Sequence, residues 1–144
     1  MKSFTDLEQS KKLAEILPIK SADMMYKQIL PKSGRISHVP EIGNPLESLE
    51  WYNKGYTYAG KKALSIEEYC IPCWSLAALL NTLPVSCDDG DHCLTLINAH
   101  PYGEIEWICC YEDSECDWLY ECYASNQVDA CFELILKLKE EQLI

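Results

Sequence analysis

Nine cysteines, all between Cys70 and Cys131, are the residues whose type and crowding could do chemistry in this chain. Cysteine in such number serves disulfide stapling, metal binding or thiol catalysis, and each sets its own demand on spacing. Cys70-Ile71-Pro72-Cys73 has C-x-x-C spacing, and the run reads as the opening of a helix, whose N-terminus would stabilise a thiolate. A redox motif of that kind should follow a buried strand, whereas Leu64 to Tyr69 reads as helix. A structural zinc site needs a second ligand pair. Cys70, Cys73 and Cys87 with His92 or Cys93 is the set on offer, and its second half has irregular spacing. Cys109, Cys122 and Cys131 fall at core phases, where a free cysteine acts as a small hydrophobe. An odd number of thiols also rules out complete internal pairing.

Other catalytic patterns are thin. His38, His92 and His100 fall in predicted loops, and no motif ties them to Ser75 or Cys73 as nucleophile. The six glycines are scattered singly, so no phosphate-cradling loop is expected. Asp88-Asp89-Gly90-Asp91 resembles part of a calcium loop but lacks its spaced ligands and closing glutamate. No catalytic residue and no cofactor is therefore assigned. The net charge of −11 argues against nucleic-acid binding through phosphates and suits a solvated surface, a basic partner or mimicry of nucleic acid. Trp51, Tyr52, Tyr56 and Tyr58 crowd a loop-rich stretch, and exposed aromatics favour an interface with a protein partner or a second copy.

The elements that must position these residues give an α+β fold in one domain over 1–144. Thr5-Asp6-Leu7-Glu8 reads as a capping box opening a helix over 6–16, closed by Pro18. Ala22 to Leu30 has strand character, and Pro and Gly then break the chain into turns. Trp51 to Tyr58 reads as a short hairpin around Asn53-Lys54-Gly55. Ser65-Ile66-Glu67-Glu68 is a second capping box, and Pro72 is placed as the first residue of a helix over 72–82. Three antiparallel strands are expected within 93–124, turning at His100-Pro101-Tyr102-Gly103. Ile105, Trp107, Cys109 and Tyr111 should share one face, and Trp118, Tyr120 and Cys122 should share a face of the last strand. A helix over 126–142, with Val128, Cys131, Phe132, Ile135 and Leu138 as its stripe, should cover the sheet together with the 72–82 helix.

The run Ile71-Pro72-Cys73-Trp74-Ser75-Leu76-Ala77-Ala78-Leu79-Leu80, closing on Leu83-Pro84, resembles a segment of small uncharacterised proteins of gut anaerobes, their phages and mobile elements. The opening Thr5 to Leu13 and the ending from Val128 to Cys131 share the likeness. It implies no activity, cofactor or catalytic residue, and its centre is the Pro-x-Trp-Ser-Leu run, not the cysteines. With no secretory leader and no long apolar run, a cytoplasmic location without membrane insertion is expected. The expected function is that of a non-enzymatic binding or accessory protein of phage-like origin, the alternative being a thiol-redox or zinc protein built on Cys70 and Cys73.

Overall fold

The computed structural model describes residues 1–29, 34–99 and 106–144. The fold is α+β with antiparallel sheets, and the chain groups into two compact units, residues 6–78 and residues 1–5 with 79–144.

In the first unit, helix α1 (Leu7–Ala14) opens on a capping box one residue later than expected. The Asp6 carboxylate accepts from the Gln9 amide at 2.9 Å, and Gln9 accepts from the Asp6 amide at 3.2 Å. Thr5 and Asp6 both suit an N-cap, and Thr5 is instead fully buried. Strands β1 (Met24–Ile29), β2 (Ser37–Ile42) and β3 (Cys70–Cys73) form an antiparallel sheet in the order β2-β1-β3. Directly paired residues share a face. The register therefore puts Met25, Lys27, Cys70 and Pro72 on one face, and Met24, Tyr26, Ile71 and Cys73 on the other. Helix α1 packs on β3.

Trp51 to Tyr58 is no hairpin but the end of helix α2 (Pro45–Tyr58), with Asn44 capping the Leu46 and Glu47 amides and Pro45 in the first turn. The 72–82 helix starts at Leu76, as α4 (Leu76–Thr82), because Cys70 to Cys73 is strand. Only a single helical turn, α3 (Ile66–Tyr69), precedes that strand, under the expected Ser65–Glu68 box. Pro72 fits because β3 ends the sheet order, and edge strands tolerate a residue that cannot donate. Ser75 is the cap of α4: its Oγ accepts from the Ala78 amide at 3.2 Å and donates to the Asp23 carboxylate.

In the second unit, β4 (Ser86–Cys87), β5 (His92–Ala99), β6 (Glu106–Glu112) and β7 (Trp118–Ala124) pair antiparallel in chain order. The expected three strands are present, with β4 added at one edge. The expected turn at 100–103, together with Glu104 and Ile105, lies outside the described residues. Helix α5 (Gln127–Glu140) is capped by Asn126, which accepts from the Asp129 amide at 3.0 Å. It packs on β6 and β7 and buries Val128, Cys131, Phe132, Ile135 and Leu138 as its period demands.

One bulge changes the outward face. Cys109 pairs with Cys122 but Tyr111 pairs with Leu119, so β7 holds an extra residue opposite Cys110. Tyr120 absorbs it at φ 53°. Trp118, expected to share a face with Cys122, is thereby turned to the opposite face, beside Glu112.

Candidate functional site

The C-x-x-C pair is taken apart by its strand. Residues three apart on a strand point to opposite faces, and Cys70 pairs with Lys27 while Cys73 pairs with Met24. No single ion or disulfide can join side chains on opposite faces of one sheet. Both thiols are also buried, and burial pushes the Cys70 thiol up to about 11, the reverse of what a helix N-terminus would do. Cys87, His92 and Cys93 sit on β4 and β5 of the second unit. Among the described residues no group of three His, Cys, Asp or Glu side chains is placed to hold a metal.

All nine cysteines are unbridged; five are buried, and Cys93 and Cys116 are exposed. The Cys109 and Cys131 sulfurs lie 3.7 Å apart between β6 and α5, and that hydrogen bond with burial drives the Cys109 thiol far up. Burial also holds Cys110 and Cys122 up at about 11. His92 is nine-tenths buried, and its Nδ1 has no hydrogen-bond partner among the described residues. Asp88 lies 3.6 Å from that nitrogen and Asp113 lies 3.9 Å from Nε2, so the carboxylates flank opposite sides of the ring and do not converge.

These thiols set a pH dependence. A thiol near 9.0 in the unfolded chain and near 11 in the folded one keeps its proton longer in the native state. Its stabilising contribution is complete below pH 9 and is lost as pH rises toward 11. With Cys70, Cys110 and Cys122 acting together, the unfolding free energy from chemical denaturation should hold steady from pH 7 to 8.5 and then fall, by ~2 kcal/mol or more at pH 11. Cys110→Val should flatten that fall. An unfolding free energy unchanged up to pH 11 would contradict the burial of these groups.

The aromatic segment is where the structure gathers unsatisfied surface. Helix α2 is 14 residues long, yet Pro45 is its one buried residue. Trp51 is 78% exposed and Tyr58 is 96% exposed. Tyr52 is half-buried, its ring centroid 4.6 Å from Tyr56 and 5.0 Å from Tyr69 of α3. The hydrogen bond with Tyr56, then burial, holds the Tyr52 hydroxyl above its ordinary range. Lys61 stands 5.2 Å over Tyr56, and Lys27 stands 5.9 Å over Tyr69 while pairing with Glu41 at 3.0 Å. Trp51 and Tyr52, with Ile36, Leu64 and Tyr69, line a groove of about 530 Å³. Further concavities of about 650 and 450 Å³ lie along the same helix.

Of the four predicted interface residues, then, Trp51 and Tyr58 are exposed, while Tyr52 and Tyr56 form the stack that supports them. Sequence reasoning missed Ile36, Val39 and Ile42, exposed in and beside β2 at 60%, 44% and 84%. They recur every third residue, a spacing that matches no strand face, and Pro40 reads as a break, so the sequence carried no signal for them. The Pro-x-Trp-Ser-Leu run is explained by packing and helix capping. Trp74 is fully buried and donates from Nε1 to the Ser21 hydroxyl at 2.9 Å. Ser75 accepts nothing from a substrate, since its hydroxyl is committed to Asp23 and to the α4 amide. Among the described residues no helix is long and apolar enough to cross a membrane. Comparison of the chain with family models, curated proteins and solved structures returned no match.

Proposed function

We propose that this protein is a non-enzymatic cytoplasmic binding or accessory protein of phage-like origin, and that α2 is its contact surface for another polypeptide. The observation that carries the reading is a 14-residue helix that buries one proline while presenting Trp51 and Tyr58 to solvent. A solvated helix is ordinarily polar all round, and large exposed apolar patches mark interaction sites. Aromatic side chains dominate such contacts because they bury much area with few torsions to fix.

The occupant best supported is a second copy of the chain. Residues 6–78 carry nine basic and nine acidic side chains, so this unit is neutral and two copies of it meet without net repulsion. A two-fold contact would let the Trp51 of each copy enter the groove beside the other's Tyr52, as an isologous interface requires. In sedimentation velocity at about 0.15 M salt, the wild type should run as a dimer and Trp51→Ala/Tyr58→Ala as a monomer. A wild-type monomer at every accessible concentration would remove the second copy as occupant.

A further inference from the structure

Charge is not spread evenly along this chain. The unit of residues 1–5 and 79–144 carries three basic and fourteen acidic side chains, and so holds the entire −11. Helix α5 lies on the face of its sheet that carries Cys109 and Cys122, as the contact between Cys109 and Cys131 shows. The register puts Glu106, Ile108, Cys110 and Glu112 of β6 on the opposite face. Next to them, β7 adds Trp118, Glu121 and Tyr123, the first of these through the bulge.

At the centre of this face Ile108 and Cys110 are buried, and its accessible part is a rim of mixed chemistry. Trp118 is 36% exposed and Tyr123 is 47% exposed, and Glu121 is exposed between them. Burial and the Glu121 and Glu106 carboxylates push the Tyr123 hydroxyl up, and Glu112 and Glu121 stand near Cys110, so the acids ring an apolar centre. No lysine or arginine occurs on β5, β6 or β7, and Lys137 of α5 donates to the Glu121 backbone carbonyl at 3.3 Å, not to its carboxylate.

We propose that the rim of this sheet face, Trp118 and Tyr123 with the glutamates beside them, docks an arginine-bearing segment of a basic partner protein. A guanidinium is planar, forks onto carboxylates and stacks on aromatic rings, which matches glutamates set beside Trp118 and Tyr123. An ammonium fits less well because it is compact and strongly hydrated. An uncharged partner would strip water from three carboxylates and return no cation. A second copy is disfavoured at this face, since both copies would bring the same negative field. None of these residues belongs to α2, so the test stands whether or not the chain dimerises.

The test uses the full chain and a short fluorescent peptide alternating arginine and serine, with a lysine version alongside, at about 0.15 M salt. Glu106→Gln/Glu112→Gln/Glu121→Gln should weaken the arginine peptide about tenfold. Glu133→Gln/Glu140→Gln/Glu141→Gln removes the same charge from the same unit and should stay within about twofold. Trp118→Ala/Tyr123→Ala should weaken the arginine peptide more than the lysine one; it carries the test if the glutamine triple fails to fold by circular dichroism. Equal weakening by both glutamine triples would show bulk charge attraction only and overturn the proposal. So would the absence of saturable binding to the wild type, or aromatic truncation that affects both peptides alike.

Discussion

Replacing Trp74 with alanine should destabilise the protein by about 4 kcal/mol, measured by chemical denaturation. The side chain is fully buried and sits between β3 and α4, where the chain leaves the sheet. Truncation removes a large apolar volume from an interior that relaxes only in part, and it removes the indole's hydrogen bond to the Ser21 hydroxyl, which keeps its own bond to the Pro18 carbonyl. The neighbouring Ser75→Ala should cost about 1 kcal/mol, the usual value of a lost helix cap. The wide gap between the two separates packing from capping as roles within one run. A Trp74→Ala protein as stable as the wild type would refute the reading of this run as a structural anchor.

What the residues announced, and what they hid, follows from how local each signal is. Strands β5 to β7 and helix α5 were legible because alternation and helical period persist over seven or more residues. Helix α2 was hidden by competing cues. Asn53-Lys54-Gly55 between aromatics imitates a hairpin turn, while the true signals, Asn44 as cap and Pro45 behind it, lie well upstream. The β3 strand was masked on both sides, by the Ser65 box before it and the leucine spacing after it. Its existence depends on pairing with β1, more than forty residues earlier in the chain, which no local pattern reports. The bulge at Tyr120 was likewise invisible, because a non-glycine residue with positive φ carries no sequence mark. That one residue decides which face Trp118 serves. The four aromatics of the candidate site were legible as residues, but their division into exposed pair and supporting stack needed the helix.

The second large effect concerns association. If α2 is a contact surface, truncating its two exposed aromatics should leave the folded chain within about 0.5 kcal/mol of wild type, since solvent-facing side chains contribute little to stability. The same change should cost ~2 kcal/mol or more in association, because each aromatic anchor would lose its pocket on the other copy. Core residues behave in the opposite way, losing ~3–5 kcal/mol of stability on truncation to alanine. The two expectations differ in sign of emphasis and in their response to concentration: a dimer gains about 1.4 kcal/mol of stability per tenfold rise in protein, and a monomer gains none.

Chemical denaturation of wild type and Trp51→Ala/Tyr58→Ala, each at two protein concentrations about a hundredfold apart, reads both quantities at once. The wild-type midpoint should rise with concentration, while the double variant should show one midpoint at both, equal to that of the dilute wild type. A wild-type midpoint indifferent to concentration would remove the second copy as the occupant of α2, and a double variant several kcal/mol less stable at both concentrations would contradict the assignment of α2 as a binding surface.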